Sequence, residues 1–288
     1  AQMSGRAGRR GIDQRGFVYS FITPEEMRFD ELIRLDNGKA EPVMSRFNAN
    51  YSTILNLYDQ HGDDLLALYQ RSFHYFQTKK NSPSLQLAMM KGRLKILKKL
   101  KYIEAGTLTE KGEFAKMIHG YGLLLGEIYS AGLLEQIDYR ETALLALAIV
   151  YEPKPGSRPP RLPQSLVRIQ RKTSEMIGRI HSLEESHAIT PLSKRCHYDL
   201  SRPLSEWMQE KSFNEILAMV KIDEGELIRY YRMAIQIMRE LLRTPISDRV
   251  KGNIQTAIAL MNHDVIDAEQ QLKQVIETAM EAEIEETE

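Results

Sequence analysis

The feature that most constrains the fold of this chain is the helical periodicity between residues 164 and 186. Apolar and small side chains recur there at every third or fourth position. One turn of an α-helix takes about 3.6 residues, so this spacing places them on a single stripe. The stripe consists of Leu166, Ile169, Thr173, Met176, Ile177, Ile180 and Leu183. We therefore predict a helix over 164–186 whose apolar face packs against protein.

Helical patterns also dominate the rest of the chain, so the predicted fold class is mainly α. Further helices are predicted at 49–60, 63–76, 86–100, twice within 121–151, and near 204–220, 224–243 and 246–280, with a break at Asn262. The Pro-rich connector at 152–163 separates two of them. Two short β-prone pieces, 102–103 and 107–109, flank a Glu-Ala-Gly turn and predict a small hairpin, with Thr109 capping the next helix.

Composition excludes several classes of protein. With 288 residues and 42% hydrophobic content, the chain is long enough to bury a core. No run of about 18 apolar residues occurs, so we expect no membrane-spanning helix. The single cysteine, Cys196, excludes an internal disulfide, and the seven histidines lack ligand spacing, so we expect no metal site. Residues 1–263 hold 38 basic and 30 acidic side chains, a balance that suits a nucleic-acid partner.

The first residues form a glycine-rich, arginine-loaded segment, QMSGRAGRRGID at 2–13. Its glycines permit tight turns, and its arginines present planar forks that suit phosphate oxygens. Such a loop can stabilise the charge that develops during phosphoryl transfer. The alternatives are a solvated basic turn and an RG-rich tail that binds nucleic acid loosely. Residues 16–22 (GFVYSFI) follow at once and predict a core strand that would mount the loop on a sheet.

This loop resembles motif VI of superfamily 2 helicases, in the form found in the Ski-type (superkiller-type) DExH branch. The matching residues are Gln2, Gly5, Arg6, Gly8, Arg9 and Gly11. Segments 44–57, 71–77, 97–118, 123–138 and 212–242 resemble later parts of the same helicases in collinear order. The chain is therefore identified as the C-terminal part of such an RNA helicase. Between Gln77 and Leu85 it has only a short polar loop where exosome-associated members carry an arch insertion.

The resemblance implies a domain order and a nucleotide site. Residues 1–23 would end a second RecA-like α/β domain, 24–48 a linker, 49–120 a winged helix, and 121–288 an all-helical, DSHCT-like domain with 164–186 as its ratchet helix. Arg6 and Arg9 inherit the catalytic role toward ATP and Mg²⁺, with Gln2, Gly5, Gly8 and Arg10 binding the nucleotide. No G-x-x-x-x-G-K-[ST] loop or D-E-x-H box occurs in the chain, so we expect it to be inactive alone.

The same resemblance implies that RNA contacts two basic helix faces. The candidate RNA-binding residues are Arg168, Arg171, Lys172, Arg179, Arg229 and Arg232. For 164–186 the alternative is an ordinary solvated face, and for 224–243 it is ion pairing within the domain. The basic helix 86–100 holds the place of a recognition helix in a DNA-binding winged helix, although internal scaffolding is the favoured interpretation.

The implied function is ATP-dependent translocation on, and unwinding of, RNA during processing or decay. Its expected partners are single-stranded RNA, RNA duplexes with an overhang and RNA-decay nucleases, and its expected location is cytoplasmic, with an organellar location as the alternative. Two other functions remain open. One is a DNA-directed repair helicase, and the other is a free-standing winged-helix regulator.

Overall fold

The computed structural model describes residues 7–8, 13–19, 43–47, 49–78, 83–154 and 161–267. They belong to two units, residues 1–47 and residues 48–288. In the first unit, residues 7–8 pass directly over Gly16. A Cβ atom on Gly16 would lie 2.4 Å from the carbonyl oxygen of Ala7, and Gly8 has a φ of +81°. Glycine at both positions allows this close crossing.

The strand predicted for residues 16–22 is not formed at residues 16–19, the part that the structure describes. The side chains of Phe17, Val18 and Tyr19 are exposed rather than buried. The prediction is wrong for these residues because no described segment provides the neighbouring strand that hydrogen bonding and packing would require. Residues 43–47 are likewise irregular, and the rest of the linker predicted at 24–48 lies outside the described residues.

The second unit is built from helices and one small hairpin. The helices are α1 (Tyr51–His61), α2 (Leu65–Gln70), α3 (Phe73–Thr78), α4 (Pro83–Lys99), α5 (Glu110–Lys116), α6 (Gly122–Ser130), α7 (Tyr139–Val150), α8 (Gln164–Ser186), α9 (Ser201–Trp207), α10 (Phe213–Leu217), α11 (Glu224–Leu241) and α12 (Asp248–Met261). Single 3-10 turns occupy Gly62–Asp64, Leu134–Gln136 and Asp264–Ile266. Between α4 and α5, β1 (Ile103–Glu104) pairs antiparallel with β2 (Thr107–Leu108), with Ile103 opposite Leu108. The mainly helical prediction and the hairpin are confirmed.

Local capping explains where several helices begin. Asn50 starts α1 by accepting a hydrogen bond from the backbone of Thr53, and Thr109 starts α5 by accepting one from Gly112, as predicted. Asp138 and Glu141 form a reciprocal capping box at the start of α7.

Three predicted helices have different bounds in the structure. The helix predicted at 63–76 is divided near residue 71. The backbone N–H groups of Arg71 and Ser72 bond to carbonyls three residues earlier rather than four, and the Ser72 hydroxyl accepts a hydrogen bond from the backbone of Tyr75. The helix predicted near 204–220 is divided where Glu210 adopts a positive φ and Ser212 forms a capping box with Glu215. The last helix ends at residue 261, next to the predicted break, and residues 268–288 lie outside the described part.

One large apolar cluster joins the helices from α5 onward. Central members include Phe114, Leu147, Ile169, Trp207 and Tyr231, all nearly or fully buried. Trp207 donates its indole N–H to the carbonyl of Met261, which closes α12 onto α9. Among the N-terminal helices, Ile54, Leu55, Ile96 and Leu97 are fully buried. This packing fixes the positions from which α8 and α11 present their polar faces.

Candidate nucleic-acid interface

The apolar face predicted for α8 is confirmed by the burial of its side chains. Of the seven stripe residues, six are buried and Leu183 is half-buried. Thr173 is fully buried, and its hydroxyl lies 3.1 Å from the carbonyl of Ile169 and 3.2 Å from the Tyr198 hydroxyl. The helix is therefore held along one face, and its remaining surface is available for other contacts.

Two predicted RNA-binding residues of α8 reach toward the turn that precedes α7. A guanidinium nitrogen of Arg168 donates to the Gln136 carbonyl at 3.3 Å, and the Lys172 ammonium donates to the Gln136 side chain at 2.7 Å. Arg171 points elsewhere and has only a loose ion pair, 3.8 Å from Glu175 in its own helix. Arg168 and Arg171 are exposed, and Lys172 is half-buried.

The fourth residue, Arg179, belongs to a polar cluster around Glu127 of α6. The buried Glu127 carboxylate accepts hydrogen bonds from Tyr102 and Lys111 on one oxygen and from Arg179, at 3.3 Å, on the other. Burial and the neighbouring carboxylate raise the pKa of Tyr102 well above its ordinary value. The Arg179 side chain remains 68% exposed, so its intramolecular bond leaves most of the guanidinium in solvent.

A second buried carboxylate, Glu184, anchors the end of α8. It is 1% exposed and accepts hydrogen bonds from the Tyr51 hydroxyl at 2.9 Å and from the Ser193 backbone and hydroxyl at 2.8 and 2.7 Å. Burial, followed by the charge of Glu184, raises the pKa of Tyr51 far above its ordinary value. Just beyond α8, Ile189 and His187 pack closely against Gly92 of α4.

The predicted residues of α11 have two different environments. Arg232 donates two hydrogen bonds, to the carbonyls of Val265 and Ile266, at 2.8 and 2.9 Å, which hold the Asp264–Ile266 turn against α11. Arg229 is exposed and lies 4.7 Å from the Tyr230 ring. Both line a shallow groove of about 370 Å³. Arg232 thus has a structural role, and Arg229 is the more available cation.

The nucleotide-binding loop is mostly outside the described residues. Gln2, Gly5, Arg6, Arg9 and Arg10 are not described, and Gly8 is placed by its positive φ and its approach to Gly16. The structure therefore neither groups nor separates the predicted catalytic residues.

The basic helix α4 packs one face into the protein and leaves lysines exposed on another. Met90, Leu94, Ile96 and Leu97 are buried, as is Gly92, while its lysines at 91, 95 and 99 are exposed. Across the residues described, the side chains of His, Cys, Asp and Glu form no group of three that could hold a metal ion. Within the same residues, no helix has the length and apolarity that crossing a bilayer requires.

Sequence reasoning missed Gln136, Glu127 and Glu184 as partners of the predicted site. A signal was present for two of them. Glu127 interrupts the apolar run LLLGEIY, and Glu184 falls four residues after Ile180 on the apolar stripe. A carboxylate in such a position must be paired, because burying an unpaired charge is costly.

The described residues of the second unit thus define a mainly helical protein that carries basic side chains on two long, well-anchored helices. The chain belongs to the DSHCT (NUC185) domain family, whose model matches residues 105–269, more than half of its length. It corresponds to the C-terminal part of a Ski-type DExH-box RNA helicase.

Named relatives agree with this assignment. The chain is 42% identical over 86 residues to the DExH-box ATP-dependent RNA helicase DExH10 of Arabidopsis thaliana, covering 29% of this chain and 8% of that protein. It is 23% identical over 264 residues to the ATP-dependent RNA helicase mtr4 of Schizosaccharomyces pombe, which covers 84% of this chain and 22% of that protein. It is 34% identical over 88 residues to superkiller complex protein 2 of Homo sapiens, which covers 31% of this chain and 7% of that protein. The chain therefore spans less than a quarter of the length of these relatives.

Proposed function

We propose that this chain is the strand-guiding C-terminal region of an ATP-dependent RNA helicase that translocates on RNA during processing or decay. The relatives named as RNA helicases support the substrate class. ATP and Mg²⁺ would be bound mainly by parts of the full-length protein that carry the motifs absent from residues 1–288. RNA-decay nucleases are the proposed partners, and the cytoplasm is the proposed location.

The domain order belongs to the proposal. Residues 1–23 would close a RecA-like domain, 49–120 would form the winged helix, and 121–288 the ratchet-bearing domain. The succession of α1 to α4, the β1–β2 hairpin and α5 supports a winged helix that serves as scaffold, since α4 buries most of one side. In the loop, Arg6 and Arg9 would stabilise the transferred phosphoryl group, so Arg6→Ala should lower the kcat of the full-length enzyme by about 10³ or more.

The observation that carries the proposal is the exposed basic surface of α8, opposite a face that is locked into the core. Arg168, Arg171 and Arg179 are exposed there, and of these only Arg179 pairs with a buried carboxylate among the described residues. Lys172 and Arg179 would add weaker contacts, because each already bonds to a neighbouring side chain. On α11, Arg229 would touch the strand, and Arg232 would support it indirectly.

The test is the salt dependence of RNA binding by the full-length protein. Each phosphate contact on a single strand contributes about 0.7 to the slope of log K against log salt, so an Arg168/Arg171/Lys172→Ala variant should lose roughly 2. Unwinding should fall more than basal ATP hydrolysis. Folding should survive, because exposed substitutions cost within about 0.5 kcal/mol each.

A matched variant on α4, Lys91/Lys95/Lys99→Ala, removes three exposed lysines outside the proposed path. Its slope should stay unchanged. The opposite pattern, with the α4 variant weakened and the α8 variant intact, would refute the proposal and favour a free-standing winged-helix binder. Parallel titrations with matched single-stranded DNA test the repair-helicase alternative, which requires DNA to bind at least as tightly as RNA.

A further inference from the structure

A cleft of about 530 Å³ lies beside the N-terminal end of α8, between the starts of α7 and α8 and along α9. Its volume is within the range of about 300–1,000 Å³ that is usual for small-ligand sites. We call it the α7–α9 cleft.

The floor of the α7–α9 cleft is apolar. Leu144, Leu166 and Met208 are 7%, 2% and 8% exposed, so only small parts of these side chains face the opening. None of the described residues that line the cleft is aromatic. Such a floor can cover a sugar and one face of a base by aliphatic contact. It cannot stack as an aromatic platform does, so it would discriminate little among bases.

The rim of the cleft is basic. Arg140 donates its Nε–H to the Tyr139 hydroxyl at 3.0 Å, which leaves its outer guanidinium nitrogens available, and no carboxylate of the described residues pairs with Arg140 or Arg161. Arg202 has only a loose ion pair, 3.9 Å from Glu206, and its side chain is 79% exposed. Arginine suits phosphate oxygens because its planar fork can donate two hydrogen bonds together.

Two carboxylates in the lining limit the charge that the cleft can accept. Asp138 and Glu141 are engaged in the capping box of α7, where each accepts a hydrogen bond from the other's backbone N–H, at 2.8 and 3.3 Å. Among the lining residues alone, three arginines exceed these two carboxylates by one positive charge, and Arg202 also faces Glu206 just outside the lining. That balance matches one phosphodiester, which carries a single negative charge, better than a nucleotide with a polyphosphate chain.

The cleft also continues the surface of α8 that the proposed function uses. Ser165 lines the cleft one helical turn before Arg168, whose guanidinium bonds to Gln136, two residues before Asp138. We propose that the α7–α9 cleft holds one nucleotide of single-stranded RNA as the strand leaves the outer face of α8. Its phosphodiester would lie on the arginine rim, and its sugar and base on the apolar floor. This inference rests on the proposed function, which it extends by one binding subsite.

The experiment uses full-length protein and short single-stranded RNA containing photoreactive thiouridine at one position. After irradiation, mass spectrometry locates the crosslinked peptides. We expect crosslinks to the peptide that contains Met208 and, at other label positions, to the outer face of α8. An Arg140/Arg161→Ala variant should lose the Met208 crosslink and about 0.7 of the salt slope, equivalent to one phosphate. The control is Arg71→Ala, which removes an exposed arginine in the turn after α2, distant in sequence from the cleft. It should change neither the Met208 crosslink nor the salt slope.

A second variant narrows access to the apolar floor of the cleft without changing its charge. Gln209→Trp places a large side chain at the exposed edge of the cleft and should lower RNA affinity while the salt slope is retained. Crosslinks on α8 with none in the cleft would overturn this inference and leave the proposed function intact. A Met208 crosslink that persists in the Arg140/Arg161→Ala variant would also overturn it. The absence of crosslinks and of salt-dependent binding altogether would defeat the proposed function itself. Melting curves of every variant confirm that the fold is intact.

Discussion

Replacing Glu127 by alanine tests whether the polar cluster beneath α8 stabilises the fold. The Lys111 and Glu127 side chains are 13% and 7% exposed, so the mutation leaves the lysine ammonium in a largely dry site. Its remaining hydrogen-bond partner is the Leu100 carbonyl, at 3.0 Å. Tyr102 keeps a good acceptor in the Leu123 carbonyl at 2.7 Å, and the exposed Arg179 returns to solvent. The loss therefore falls mainly on Lys111.

Breaking a buried ion pair by removing one partner costs about 3–5 kcal/mol. We expect the Glu127→Ala variant to lose this much free energy of unfolding, measured by urea titration followed by circular dichroism. For a chain of this size, that corresponds to a fall in Tm of roughly 6–20 °C. Arg179→Ala should cost at most about 1 kcal/mol, because the Arg179–Glu127 pair is open to solvent on the arginine side.

A double variant separates the ion pair from simple loss of packing. Glu127→Leu combined with Lys111→Met removes both charges and retains apolar volume, so it should recover much of the stability that Glu127→Ala loses. A cost below about 1 kcal/mol for Glu127→Ala, or an equal cost for Arg179→Ala, would refute the reasoning. The first result would mean that water solvates Lys111, and the second that Arg179 is the cation that matters.

Three further predictions use other contacts. Gly126→Ala should lower the free energy of unfolding in urea by about 1–3 kcal/mol, because its Cβ would lie 2.6 Å from the Tyr102 ring. Gly178→Ala, in open space on α8, should raise it by roughly 0.5–1 kcal/mol. Equal effects of the two substitutions would contradict the packing at Gly126. Burial raises the pKa of the Cys196 thiol to about 12, so its reaction with a disulfide reagent at neutral pH should be at least about 100-fold slower in native than in urea-unfolded protein, and equal rates would show an accessible thiolate. A hydrogen bond to Glu110 raises the pKa of Tyr129 to about 12, so the folded state holds this proton more tightly than the unfolded state. The resulting contribution to the free energy of unfolding is complete below about pH 10 and lost by about pH 12. Tyr129→Phe should flatten that part of the curve of stability against pH.

The sequence predicted α8 well because every signal agreed there. In the sequence, a proline-rich connector precedes a long stripe of one period, and the predicted bounds 164–186 match the helix in the structure. The breaks at 71–72 and 210–212 were missed because side-chain periodicity does not record backbone geometry. The first break depends on hydrogen bonds to carbonyls three residues earlier, and the second on the positive φ of Glu210. In the same way, the strand predicted at 16–22 depended on its apolar residues alone, and residues 16–19 find no neighbouring strand.

The candidate site was predicted only in part. Helical periodicity correctly separates the buried face of α8 from its basic face. It does not tell which basic residues meet a neighbouring element. Arg168, Lys172 and Arg179 are spaced by four and seven residues and so lie along one line of the helix, and the structure places Gln136 and Glu127 beside that line. Arg171 lies about a quarter-turn away from that line and does not bond to Gln136 or Glu127. Such lateral neighbours come from distant parts of the sequence, so they require the fold.

The anchoring of α8 at Glu184 has a consequence for how this protein opens. The first half of the helix contributes Leu166 and Ile169 to the large apolar cluster, while its end bonds to Tyr51 of α1. Neither the N-terminal helices nor the later ones can detach without exposing part of α8. The second unit should therefore unfold in one cooperative transition, and the backbone amides of α8 should exchange with solvent deuterium only when the whole unit opens. Residue 120 divides two predicted domains, yet we expect their shared contacts with α8 to make them unfold together.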